Sequence, residues 1–156
     1  MTTHSASASS SFRLAFALLG VALVASLSGC AEGEFRLGDP LDRQATLSEA
    51  QHRYTVLVRW NHFKKARKYL ADDAKEDFMA QTKMLEDARF TEYDSEPVEL
   101  DREKQSATIR VTYTLWTPFI PYEITISELQ EWRRDGITND WRVTSYFEDL
   151  NKLASR

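Results

Sequence analysis

The stretch "SATIRVTYTLW", Ser106 to Trp116, sets the tightest limit on what this chain can fold into. Ala107, Ile109, Val111, Tyr113 and Leu115 fall on one side of an extended backbone, and Thr108, Arg110, Thr112 and Thr114 on the other. Successive strand side chains point to opposite faces, so the pattern describes a strand with one face in a core and one in water. Such a strand belongs to an antiparallel sheet covered on a single side. "VEL", Val98 to Leu100, is the expected partner across the polar turn "DREKQ", with a shorter strand over Phe90 to Tyr93 before it. Pro118 and Pro121 interrupt the ladder ahead of "YEITISELQEWRR", where the alternation slips near Ser127 and Glu128 and predicts a bulge. A last strand, "WRVTSY", follows the turn "DGITND".

Upstream the period is helical. "TLSEAQHRYTVLVRWNHFKKARKYLA" reads as one long helix opened by Thr46 or Ser48 as N-cap, with Glu49 in the first turn. At 100° per residue Tyr54, Leu57 and Val58 form one apolar stripe, and Val56, Trp60, Phe63 and Leu70 the opposite one, which predicts a helix sandwiched between other elements. Asp73 with Glu76 resembles a capping box for a second helix that buries Phe78, Met79 and Leu85. Helices followed by a meander of strands make an α+β domain with the N-terminal helices packed on a curved antiparallel sheet, over residues 46–156.

The long helix around "YTVLVRW", the short helix before "ARFTEY" and the closing hairpin "LQEWRRDGITNDWRV" resemble the nuclear transport factor 2-like superfamily over roughly residues 47–147. A cystatin-like sheet wrapped on a helix is the rival arrangement. The resemblance implies a cone-like fold. In the isomerase members of that superfamily it also implies an acidic base opposite hydrogen-bond donors inside the cone, a chemistry that needs a carboxylate tuned by an apolar pocket. Tyr54, Asp94, Tyr113 and Glu123 have the right groups for such a pocket, with Trp60 as a wall.

The N-terminal segment carries an address. Residues 1–13 hold no acid and one full side-chain charge, Arg13, ahead of the apolar run "LAFALLGVALVASL". That run is shorter than the roughly 20 residues of a membrane-spanning helix and ends at small residues, the layout of a cleaved signal peptide over 1–29. Leu27-Ser28-Gly29-Cys30 resembles the bacterial lipobox, which implies that Cys30 becomes an acylated N-terminus bearing diacylglycerol and a further acyl chain such as palmitate. More than one long chain gives stable anchoring at about 0.8 kcal/mol per buried CH2. With Ala31 rather than aspartate after it, the lipobox resemblance implies the periplasmic face of the outer membrane. Residues 30–45 read as a tether that reaches at most about 50 Å.

Removing the leader leaves 127 residues and takes the formal charge from −4 to −5, because Arg13 goes and no acid does. An acidic surface of this kind does not suit nucleic acid. Cys30 is the single cysteine, so no disulfide supports the domain. His52 and His62 lie ten residues apart on one helix, about 15 Å along its axis and too far for one metal. No HExxH pair, glycine-rich phosphate loop or GxSxG elbow is present, and no metal or cofactor is implied. The acids of "DDAKED" are explained by helix capping, and Lys64, Lys65, Arg67 and Lys68 by a solvated flank. "WTPFIPY" remains: Trp116, Phe119, Ile120 and Tyr122 either close one end of the cone or form a lip that docks a partner. The leading expectation is a membrane-anchored, non-enzymatic binding or scaffold module for another envelope protein. The alternative is a pocket protein for a small molecule or lipid, or a cone-fold enzyme.

Overall fold

The computed structural model describes residues 39–136 and 138–153. The expected signal peptide, the lipobox-like stretch with Cys30 and the expected tether up to residue 38 lie outside the described residues. The described chain is α+β. Helix α1, Arg43–Arg59, is followed by the short α2, Phe63–Ala66, and by α3, Lys75–Thr82, with single 3-10 turns at Arg67–Tyr69, Asp72–Ala74 and Lys83–Leu85. Four strands then run as an antiparallel meander in the order β1 (Arg89–Ser95), β2 (Ser106–Thr117), β3 (Ile120–Asp135) and β4 (Asp140–Glu148). Beyond β4, Leu70 forms a parallel bridge to Val143, and the Ala71 N–H donates to the Val143 carbonyl at 3.0 Å. No helix among the described residues is long and apolar enough to cross a membrane.

The sequence periodicities place the core. All five apolar residues of the alternating stretch, Ala107 to Leu115, are buried, and Tyr113 of β2 meets Phe90 of β1 edge to face at 5.2 Å between ring centroids. Helix α1 contributes Leu47, Gln51, Tyr54, Thr55 and Val58, one stripe at i, i+4, i+7, i+8 and i+11. Tyr54 packs edge-on against Trp132 of β3 at 5.7 Å, and Phe78 of α3 lies 6.0 Å from Phe147 of β4. Trp132 and Trp141 are buried, whereas Trp60 and Trp116 are exposed.

The structure corrects several expectations. The predicted long helix is broken at Asn61, which takes a left-handed φ of 56°. The Asn61 N–H donates to Val58 O and the His62 N–H to Leu57 O, the paired bonds of a Schellman turn, and Asn61 Nδ2 donates to Ala88 O at 2.8 Å. Asparagine tolerates this conformation at modest cost, so the helix stops there. Trp60, still bonded through its N–H to Val56 O, faces solvent, so α1 buries one face rather than two, while Phe63 and Leu70 beyond the break are buried. The helix starts at Arg43 with no side-chain cap, because Thr46 Oγ1 bonds back to Arg43 O and accepts Trp141 Nε1–H. Asp73 likewise makes no capping box; α3 follows a 3-10 turn with Ala74 at its N-cap position.

Val98 to Leu100 is not a strand. The partner of β2 is β1, and the segment after Pro97 leaves the ladder, returning only where Asp101 accepts the Gln105 N–H at 2.8 Å and the Ser106 hydroxyl at 2.9 Å. No bulge interrupts Ser127 and Glu128 either: β3 keeps register there with both β2 and β4, and shifts lie instead at Phe90/Glu92 and Leu115/Thr117. The slip in alternation has another cause, described next.

Candidate functional site

Along β3 the inward positions are Ile124, Ile126, Glu128, Gln130 and Trp132, all buried. Glu128 and Gln130 have no solvent-accessible surface, so two polar side chains occupy core positions of a central strand. A buried carboxylate needs every lone pair satisfied. Glu128 Oε1 accepts the Tyr54 hydroxyl at 2.7 Å and the Ser145 hydroxyl; Oε2 accepts the Tyr113 hydroxyl at 2.8 Å and Gln130 Nε2–H at 2.8 Å. Four donors therefore fill the four acceptor sites of one carboxylate. Trp132 Nε1–H in turn donates to Gln130 Oε1 at 3.1 Å, and Gln130 Nε2 also reaches Thr55 Oγ1 at 3.2 Å. The network joins α1, β2, β3 and β4 through one charged group.

Its electrostatics are those of a dry interior. Burial raises the Tyr54 and Tyr113 hydroxyls well above their ordinary value of 10.0, and the negative charge of Glu128 raises them further, since a second anion beside it is disfavoured. Both tyrosines stay protonated donors at neutral pH. A carboxylate with its acceptor sites filled and no exposure to solvent has no free lone pair to take a proton from a substrate.

Of the residues singled out for a pocket, the structure brings Tyr54 and Tyr113 together and leaves the others outside. Trp60 is 62% exposed beneath the Arg59 guanidinium, which lies 5.4 Å from its ring centroid. Asp94 on β1 and Glu123 on β3 sit at outward positions and are exposed; Glu123 accepts the Thr91 hydroxyl at 3.3 Å. The carboxylate that joins the two tyrosines is Glu128. Its signal was the parity of β3: counting by twos from Ile124 puts Glu128 inside.

The second candidate surface is the tight β2–β3 turn. Thr117 pairs with Ile120 across Pro118 and Phe119. Ile120 is buried in the core, so it belongs to closure and not to a docking lip, because its position in the pair turns its side chain inward. Phe119 is 78% exposed, Tyr122 65% and Trp116 43%; Trp116 and Tyr122 line a shallow cleft of about 330 Å³ together with Pro118 and Pro121. The two neighbours should therefore behave oppositely. Ile120→Ala is expected to cost about 2–4 kcal/mol in a denaturant melt, whereas Phe119→Ser should stay within about 0.5 kcal/mol of the parent. Equal effects would mean that the turn is misassigned.

A further cleft of about 310 Å³ lies between Phe63, Met79 and Thr82 on the helical side, away from Glu128. Among the described residues no group of three or more His, Cys, Asp or Glu side chains could hold a metal ion. Comparison of the chain with family models, with curated proteins and with solved structures finds no match in any of the three.

Proposed function

We propose that this chain is a lipid-anchored envelope protein, held through acylated Cys30 at the periplasmic face of the outer membrane. Its cone-like, nuclear transport factor 2-like domain would serve as a non-enzymatic binding module for another envelope protein. The observation that carries the non-enzymatic part is Glu128: the one buried carboxylate facing two tyrosines is inaccessible and satisfied from within. The isomerase alternative needs that group open to a substrate.

The partner surface in this reading is Trp116, Phe119 and Tyr122, aromatic side chains that dominate interface energetics when desolvated. Geometry favours them. Asp39 is held at the other end of the domain by Arg43 at 3.5 Å and Lys104 at 3.9 Å, and Asn139, in the β3–β4 turn, donates to the Leu41 carbonyl. The chain thus enters beside the β3–β4 turn, while the aromatic lip sits at the opposite end of β3, a strand of 16 residues that spans about 50 Å. Cys30 precedes Asp39 by only nine residues, at most about 30 Å of chain.

The test is a photo-crosslinking side chain placed at Phe119 in living cells, with a second at Glu92 on β1 as control. One discrete protein adduct from position 119, absent from position 92 and lost when Trp116 and Tyr122 become serine, is the expected result. No adduct from position 119 would overturn the docking role. Separately, Cys30→Ala should release the protein from membranes, and membrane fractionation that persists after that change would overturn the anchor.

A further inference from the structure

At the end of the domain where the chain enters, four cations surround one cleft. Lys75 lies at the start of α3, Arg133 and Arg134 on β3 and Arg142 on β4, and together with Asp72 they line a space of about 340 Å³. The concentration of positive charge stands out in a chain whose formal net charge is −4. The walls are fixed by the backbone: Leu70 and Ala71 run along β4 through Val143, which sets the loop carrying Asp72 and Lys75 against the hairpin carrying the arginines.

The cations are held differently. Arg142 is pinned by its Nη1 on the Lys68 carbonyl at 2.7 Å and its Nη2 on Asp140 at 2.8 Å. Arg134 Nε donates to Gln105 Oε1 at 3.1 Å, but its Nη1 is buried with no hydrogen-bond partner among the described residues. A buried guanidinium N–H without an acceptor is costly unless something supplies one. Arg133 reaches Glu131 only at 3.9 Å and its side chain is 79% exposed, free to swing. Lys75 pairs with Asp72, whose carboxyl is held below its ordinary value by Lys75 first and also by Arg142, so the two cationic fields overlap in the cleft.

We propose that this cleft binds a phosphate group, with Arg134 and Arg142 as positioned donors and Arg133 and Lys75 completing the charge. Guanidinium forks match the oxygens of phosphate, and several cations from separate segments suit an anion of more than one charge and more than two oxygens better than a carboxylate. Two sources offer that chemistry: the headgroup of an anionic phospholipid, and free phosphate. The headgroup source rests on the lipid-anchor reading; phosphate binding does not.

The full chain is titrated with inorganic phosphate and, separately, with acetate, while the Nε–H signals of its arginines are followed by NMR. The same chain is sedimented with vesicles of phosphatidylglycerol and of phosphatidylcholine, where the N-terminal segment contributes to both and the difference reports the cleft. Saturable shifts with phosphate and none with acetate are expected. Affinity should fall at least about tenfold in Arg134→Gln/Arg142→Gln, and should be unchanged in Lys64→Gln/Lys65→Gln, which removes equal charge from exposed positions on α2. Should the double arginine variant fail to fold, Lys75→Gln, which loses only a surface ion pair, is expected to weaken binding several-fold with its melting curve intact. Preference for phosphatidylglycerol that disappears in the cleft variants assigns the headgroup; phosphate saturation without that preference assigns free phosphate. The proposal is overturned by no saturation together with no vesicle preference, by an equal response to acetate, or by equal losses in the lysine control.

Discussion

Glu128→Ala is expected to lower the stability of the domain by about 4 kcal/mol, a large share of what a domain of this size possesses. The alanine removes one acceptor group and strands four donors, Tyr54, Tyr113, Gln130 and Ser145, in a space closed to water. Each orphaned donor costs on the order of 1–3 kcal/mol before any relaxation. Glu128→Gln keeps the shape and one acceptor oxygen but turns an amide NH2 toward hydroxyl or amide donors, so a loss of about 2 kcal/mol is expected. Glu131→Gln, three residues along the same strand and partly exposed, should change stability by less than about 0.5 kcal/mol. Urea denaturation of the three variants checks the series. If Glu128→Ala fell within about 1 kcal/mol of the parent, the four hydrogen bonds would not be the ones that hold the core.

The second large effect is an alkaline collapse. Tyr54 and Tyr113 titrate well above 10.0 when folded, chiefly because they are buried and then because Glu128 is beside them. Unfolded, they lose their protons near pH 10. Folding is therefore favoured in full below about pH 10; above it the unfolded chain sheds protons that the folded one retains, and stability falls until the folded hydroxyls ionise. The slope is about 1.4 kcal/mol per pH unit for each tyrosine, or about 2.7 for the two. Replacing either one with phenylalanine should halve the slope, and replacing both should remove it, whatever the substitutions cost at neutral pH. Denaturation midpoints that stay level from about pH 10 to 11 would show that the two hydroxyls are open to solvent.

The same two tyrosines mark how far the sequence could be read. Periodicity found the buried face of β2 because its inward residues from Ala107 to Leu115 all read as hydrophobic, and a run with no charged or amide side chain in it announces its own parity. On β3 the core face carries Glu128 and Gln130, which removes the apolar signal at the positions where the network sits, and a bulge is the natural reading of such a gap. Holding the parity set by Ile124 and Ile126 would have led to Glu128. The first helix was drawn too long for a different reason: helical geometry was extended through Asn61, a residue whose αL tolerance makes it a stop as readily as a continuation, and Trp60 was assigned to a second apolar stripe that α1 does not bury. Asp94 and Glu123 were chosen for chemistry alone, and chemistry carries no information about which side of a strand a residue occupies. Arg133, Arg134 and Arg142 share the β3–β4 hairpin, where Arg133 pairs with Arg142; that Lys75 faces them was illegible, because it depends on the bridge between Leu70 and Val143.

That bridge also bears on how copies of this protein meet one another. An open sheet has two edges, and either can recruit a stranger's backbone and seed aggregation. Here the β4 edge is taken in part by the protein's own Leu70 and Ala71, which leaves β1 as the edge to defend. β1 is seven residues long, exposes Arg89, Glu92 and Asp94, is followed by Pro97, and has its Thr91 carbonyl already occupied by Arg59 Nη2 at 3.0 Å. If the proposed lipid anchor gathers many copies onto one membrane, their local concentration rises, and a sheet guarded at both borders can tolerate that density without polymerising.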